Sequence, residues 1–337
     1  MADVHTYRAI DDLLGPASSR FFGSGYSRVV QQVRHVETLP TDATSVERTD
    51  LASVVYPADW STKKAGQTLR PHVSTIDACV FSKIIAESHL RGWAGLTEEQ
   101  IASSWLRSIG MRAGPVAQED TDEVKVRTTV VQKQGGAENG SSSFEFTSLI
   151  GSMRTEYTVG VPELPGRSRN TVSAELLTDS AHLSATIGLQ DIELDLAERT
   201  GAATFLLHPR GAGDQQRVGL ASAYQPYLTD VHNILGIAQI AQALLYQVDG
   251  IERADSNTLW TRSFTARRAG SPRRGTSVGA VSVAMVDHEH LTTAADTWSI
   301  SSWTSECEDV VTTFELAHKL PVATETAETA ESRTARK

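Results

Sequence analysis

The chain has 337 residues, 40% of them hydrophobic and 21% charged, with a formal net charge of -10. That length allows two modules with cores of their own, and the acidic balance excludes a nucleic-acid binder, which needs a basic face. No leader pattern opens the chain, its longest apolar run (Ile234 to Leu245) is short and broken by Gln239 and Gln242, and Cys79 and Cys307 suffice for neither a zinc cluster nor a disulfide framework, so a cytoplasmic protein with no membrane span is expected.

Met1 to Ser19 reads as a polar lead-in with one amphipathic stretch, Tyr7 to Leu14. Phe21 to Glu37 and Leu51 to Tyr56 are rich in β-branched and aromatic residues and predict strands. Ser74 to Leu90 carries Ile76, Val80, Phe81, Ile84 and Ile85 at helical spacing behind Ser74-x-x-Asp77, a capping-box pattern. Strands are predicted over Trp105 to Arg112, Val124 to Gln132, Ser143 to Ile150 and Thr155 to Val161, with a turn at Gln134 to Ser142. Pro162 to Asn170 reads as a loop, and Leu183 to Leu207 alternates and is expected to close the first half. His208 to Gln216 is the linker candidate. Val231 to Val248 is apolar on nearly every side, the pattern of a buried helix. Strands are expected again at Trp260 to Ala266, Ser277 to Asp287, Thr297 to Trp303 and Val310 to Ala317, and Ala323 to Lys337 has the composition of a disordered tail.

The order of features repeats. Trp105-Leu106-Arg107-Ser108 is echoed by Trp260-Thr261-Arg262-Ser263, and each is followed by Arg-Ala-Gly, at Arg112 and at Arg268. Each is preceded by a long apolar helix, a histidine (His72, His232) and a Leu-Ala-Ser segment at Leu51 or Leu220. Four echoes in one order imply an internal duplication. The expected division is 1–207, 217–320 and a tail over 321–337. A long buried helix followed only by consecutive strands predicts an α+β protein in which a curled antiparallel sheet wraps each helix, a tandem (double) hotdog.

Several residues have the types and positions that chemistry needs. His72 and His232 stand at the two helix starts, where the helix dipole favours a neutral imidazole able to act as a base, although local capping explains each equally well. Asp77 is either the partner of Ser74 in the cap or an acid facing a substrate. Gln239 and Gln242 are polar groups in an apolar helix and need partners. Gln239 is expected to face a substrate and Gln242 to be structural. Arg107 and Arg262 suit a phosphate or carboxylate, unless each is stacked on the sheet and paired with an acid. The basic cluster of Arg267, Arg268, Arg273 and Arg274 suits a phosphorylated substrate or an acidic carrier protein, unless it is only a solvated hairpin loop. His288-x-His290 puts two imidazoles on one strand face, but no third ligand stands at a legible spacing, so neither metal nor cofactor is expected.

Arg70-Pro71-His72-Val73-Ser74-Thr75-Ile76-Asp77-Ala78, Ser19-Arg20-Phe21-Phe22-Gly23-Ser24-Gly25-Tyr26 and Val231-His232-Asn233-Ile234-Leu235-Gly236-Ile237-Ala238-Gln239 resemble the avirulence protein D family, over most of the chain to about Leu320. That family is linked to the synthesis of syringolides, acyl-sugar-derived signal molecules. The layout is also similar to that of the A-factor (γ-butyrolactone) synthases, read as tandem hotdogs. The resemblance implies transfer of a β-ketoacyl group from a coenzyme A or carrier-protein thioester to a sugar or sugar-phosphate hydroxyl. It implies His72 or His232 as base, Asp77 as orienting acid, and Gln239, Arg107, Arg262 and Arg267 as substrate contacts. Two other readings remain: a 3-hydroxyacyl-thioester dehydratase pairing His232 with Asp77, although the His-x-x-x-Gly-x-x-x-x-Pro arrangement of those enzymes is missing, and a non-catalytic protein that binds an acyl lactone. A homodimer is left open. An enzyme is expected to have one asymmetric site between the copies.

Overall fold

The computed structural model describes residues 3–42, 44–61, 70–133, 142–162, 176–177, 181–183, 185–210, 219–294 and 296–321. The expected turn after Gln134, most of the Pro162 to Asn170 loop, most of the linker and the tail lie outside the described residues.

A short strand β1 (Val4–Ala9) and helix α1 (Asp11–Leu14) precede β2 (Val30–Pro40) and β3 (Ser45–Val55). Helices α2 (Thr75–Gly92) and α3 (Glu98–Ser103) lead into β4 (Trp105–Arg112), β5 (Val124–Lys133), β6 (Ser142–Ile150) and β7 (Met153–Val161). After the two-residue β8 (Leu176–Leu177) come β9 (Ala185–Asp195), β10 (Thr200–Pro209) and helix α4 (Asp230–Val248). The chain then runs through β11 (Leu259–Arg268), β12 (Val278–Thr292), β13 (Thr297–Cys307) and β14 (Val310–Lys319).

All fourteen strands among the described residues join one sheet in the order β1-β9-β10-β12-β13-β14-β11-β4-β7-β6-β5-β3-β2-β8. The order reads as two copies of one unit, strand-strand-helix-four strands, meeting back to back where β11 pairs with β4. The step in numbering that carries Ser74 to Thr229, the two helix N-caps, also carries Trp105 to Trp260, and it carries β2 onto β9 and β3 onto β10. The central register obeys the same symmetry, since Ile109 opposite Ala266 mirrors Met111 opposite Phe264.

This settles where β9 and β10 belong. The stretch Leu183 to Leu207, expected to close the first half, instead extends the second, because β10 pairs with β12. Its alternation predicts strands correctly, but alternation carries no information about which edge receives them. The second Leu-Ala-Ser echo also fails. Leu220-Ala221-Ser222 enters a 3-10 turn (Ser222–Tyr224), and the true counterpart of β3 is β10. The stretch Phe21 to Arg28 makes turns rather than the start of β2.

Residues alternate buried and exposed along β5, β6 and β14, so one face of the sheet is apolar and the other meets water. The apolar face curls over α2 and α4, which are buried on almost every side and touch each other at the centre. A salt bridge without solvent access fastens α2 to β3: Arg48 grips Asp50 at 2.7 and 2.8 Å and donates to Ser88 on α2 at 2.8 Å. Burial alone would raise the Asp50 pKa, but bonds from His35 and Arg48 outweigh it and hold the carboxyl below its usual range.

Candidate functional site

A cavity of about 570 Å³ lies between the repeats. Its walls are the first turn of α2 from His72 to Ile76, the α4 face bearing Ile234, Ile237, Ala238 and Gln242, and the start of β11 from Leu259 to Arg262. Phe21, Phe22, Phe314 and Leu316 extend the apolar lining, and Arg20, Arg253 and Arg262 supply cationic groups.

The capping box leaves a specific part of α2 facing this space. Ser74 Oγ accepts from the Asp77 amide at 3.2 Å, and Asp77 accepts from the Ser74 amide at 2.8 Å. The box thus occupies those two amides and spares those of Thr75 and Ile76, first-turn donors without intrahelical acceptors. His72 stands two residues before the cap. Its ring lies 4.7 Å from that of Trp260 and 6.4 Å from that of Trp60, and Nδ1 is 3.3 Å from the Arg70 carbonyl oxygen.

Asp77 itself does not reach the cavity. It is fully buried and accepts from Gln31 Nε2 at 2.9 Å, from the Ser74 hydroxyl at 2.7 Å and from the Tyr56 hydroxyl, besides the Ser74 amide. A carboxylate with four donors holds the helix start and is not available to a substrate. The Tyr56 oxygen also lies 2.9 Å from the His72 carbonyl, so its single proton is shared between that carbonyl and Asp77, and the pair fixes the segment that carries His72.

His232 is not the counterpart of His72. It is the third residue after N-cap Thr229, the place that Asp77 holds after Ser74. Its Nε2 lies 3.1 Å from the His182 carbonyl and 3.3 Å from that of Ala185, tying α4 to β9 away from the cavity. Burial first, and then nearby His182, push its pKa down to about 4. The residue equivalent to His72 is Tyr227, which packs with Trp105 and Ala221 in a small buried cluster.

The two glutamines exchange their expected roles. Gln242 lines the cavity while donating to the Tyr246 hydroxyl at 2.8 Å, whereas Gln239 is locked between Arg20, whose guanidinium donates to its oxygen, and the Leu235 carbonyl at 3.0 Å. A helix apolar on every side gives no azimuth from which to choose between them.

Arg107 and Arg262 both sit at β-bulges, where the register shifts between Leu106 and Ser108 and between Thr261 and Ser263. Only Arg262 borders the cavity; Arg107 packs over the Trp105 ring at 6.0 Å. Arg267 is exposed on β11 away from the cavity, and its neighbour Arg268 is buried in an ion pair with Asp309 at 2.5 Å. Sequence reasoning missed Arg20 and Arg253. Arg20 is 3% exposed and paired with Asp11, and Arg253 donates to the Ser19 carbonyl at 3.2 Å. Burial lowers both pKa values, and proximity to Arg253 lowers that of Arg20 further, so two guanidinium groups crowd one wall. Arg20 lies in a stretch that carries the family resemblance and Arg253 in none, and their convergence depends on the turn after α1 and the turn after α4 meeting in space.

These features define a duplicated helix-in-sheet protein with one apolar, arginine-flanked cavity between its repeats. The chain belongs to the Pseudomonas avirulence D protein (AvrD) family, whose model matches residues 5–321. Comparison with curated proteins gives no match. Among solved structures, the chain is similar to the TesB protein of Mycobacterium avium subspecies paratuberculosis at 10% identity and a TM-score of 0.39, covering 85% of this chain and 96% of that one. It is also similar to a hot dog fold protein of unknown function from Alicyclobacillus acidocaldarius (10% identity, TM-score 0.34, covering 84% and 96%). A third likeness is to the dehydratase domain of the CurK module of curacin polyketide synthase (9%, 0.34, 83% and 96%). No described helix is long and apolar enough to cross a membrane.

Proposed function

We propose that the two repeats are hotdog modules in tandem and that the protein transfers a β-ketoacyl group from a thioester to a sugar or sugar-phosphate hydroxyl in the inter-repeat cavity. The observation that carries this is the composition of the cavity wall: a histidine and helix-start amides at one point, apolar rings and aliphatic side chains beside them, and arginines in the lining. His72 takes the proton of the acceptor hydroxyl, whose oxygen bonds to the thioester carbonyl carbon. The Thr75 and Ile76 amides hold the resulting oxyanion. Collapse breaks the carbon-sulfur bond, and the thiolate leaves with the proton that His72 had taken. The apolar wall suits the acyl chain, Gln242 offers a polar contact to its keto group, and Arg20, Arg253 and Arg262 suit a phosphate on either substrate.

The dehydratase reading loses its proposed pair, because Asp77 is held by local donors, His232 turns its Nε2 to the His182 and Ala185 carbonyls, and neither lines the cavity. A non-catalytic acyl-lactone binder would use the same apolar wall but has no need of His72 beside helix-start amides. The test is incubation of the full chain with β-ketoacyl thioesters of coenzyme A or a carrier protein and a panel of sugars and sugar phosphates, followed by mass spectrometry. An acyl-sugar adduct is expected. An enoyl product from a 3-hydroxyacyl thioester, or tight lactone binding without turnover, contradicts the proposal.

A further inference from the structure

We infer that Asp249, His288 and His290 form a binding site for one divalent transition-metal ion of the zinc class, with His318 lying against it. Asp249 is the C-cap of α4, and its side chain is fully buried where the helix ends against the sheet. His288 and His290 follow the register shift between Met285 and Asp287 in β12 and share one strand face. His290 lies opposite Ser299 of β13, which lies opposite His318 of β14, so three strands present their polar groups in one row.

The distances suit a shared ion. His288 Nε2 is 3.1 Å and His290 Nε2 is 3.0 Å from Asp249 Oδ1, and His318 Nε2 is 3.4 Å from Oδ2. A ligand atom from each of Asp249, His288 and His290 falls within 4.8 Å of the others. Metal-ligand bonds of about 2.0–2.1 Å in tetrahedral geometry set donor atoms about 3.3 Å apart, so little movement is needed. Two imidazoles and one carboxylate match zinc and its borderline neighbours, whereas magnesium and calcium require oxygen-rich sites. His290 is 47% exposed, which gives an ion a route in and leaves a coordination position facing solvent.

Two further observations point to a ligand. Among the described residues, the ion-pair partners of Asp249 are three imidazoles, with no lysine or arginine, and its buried Oδ2 accepts no hydrogen bond. A carboxylate so placed is costly unless a cation compensates it. Nor does the scaffold demand these residues. The first repeat, built on the same strands, has Ala94 in the place of Asp249 and, by ladder pairing, Gln132 in the place of His288. The cluster is also separate from the cavity: Tyr246, bonded to cavity-lining Gln242, stands between, with its ring 6.0 Å from that of His318.

The experiment uses the full chain, stripped with a chelator and then titrated with zinc or cobalt(II). About one equivalent of zinc is expected to bind and to raise the melting temperature, magnesium is expected to do neither, and cobalt is expected to give a visible d–d absorption. His290→Ala, at an exposed position that spares the core, should weaken binding by about 10-fold or more, as should Asp249→Asn, while His5→Ala leaves it unchanged. Substoichiometric zinc with no change in melting temperature overturns the inference, and so does undiminished binding by folded His290→Ala.

Discussion

His72 and Tyr227 stand at the same position of the two repeats, two residues before a helix N-cap, and each lies beside the tryptophan at the start of the central strand of the opposite repeat: His72 by Trp260, Tyr227 by Trp105. Around His72 there is a cavity. Around Tyr227 the second repeat's entry segment packs in, with Ala221 in one buried cluster with Trp105 and Tyr227, and the neighbouring Leu220 amide donating to Glu87 at 2.6 Å. Gly219, at φ 89°, lies so close to Glu87 that a Cβ would sit 2.7 Å from its Oε1. Duplication thus supplies two equivalent places, and the second repeat's own entry segment closes one of them.

If Tyr227 belongs to that plug, its truncation acts on stability alone. Tyr227→Ala is expected to cost about 3 kcal/mol, the scale for a buried aromatic cut to alanine. Urea unfolding gives the value, and turnover per folded molecule should be unchanged.

Asp77→Ala removes an acceptor from four donors. A lost cap costs about 1 kcal/mol, and each buried donor left unsatisfied about 1–3 kcal/mol, so a loss of about 2–4 kcal/mol is expected. The urea midpoint should fall accordingly. Normal stability with abolished turnover would restore Asp77 as a catalytic acid.

The cavity arginines should discriminate charge. Arg262→Met is expected to raise KM for a phosphorylated substrate by about 10-fold or more, the scale of a lost charge-assisted hydrogen bond, and to leave neutral analogues little affected. Steady-state kinetics with matched phosphorylated and neutral substrates separates the two. An equal loss for both would remove phosphate recognition from Arg262.

Acid should unfold the protein through its buried histidines. Burial holds His232 down to about 4 and His89 down to about 3, well below the ordinary histidine value. Between those values and about pH 6.5 the unfolded chain binds protons that the folded chain does not, so stability is full above about pH 6.5 and is lost as pH falls. Each histidine contributes about 2 kcal/mol of loss between pH 7 and pH 5. His232→Gln, which keeps a donor for the two carbonyls, should flatten that dependence in urea titrations at the two pH values.

Much of this was legible in the chain. The range of β4 matches its prediction, Ser74-x-x-Asp77 announces a true capping box, and the Trp-x-Arg-Ser echo marks a real duplication. The errors have physical sources. Matching His72 to His232 follows residue identity, whereas the repeat is aligned by its caps. Leu220-Ala221-Ser222 mimics a strand segment too short to carry a period. The carboxylate beside His288 and His290, Asp249, comes from the end of a helix far away in sequence, which no local spacing can reveal.

The central claim is that chemistry occurs at His72 in the inter-repeat cavity and not at His232. The direct measurement is quantitative mass spectrometry of acyl-sugar product from His72→Phe and His232→Gln, each confirmed folded. His72→Phe keeps an aromatic ring for Trp260 and should lose about 100-fold or more in rate, the usual contribution of a general base. His232→Gln should retain most of the activity at neutral pH. Product formation that survives in His72→Phe and vanishes in His232→Gln contradicts the assignment.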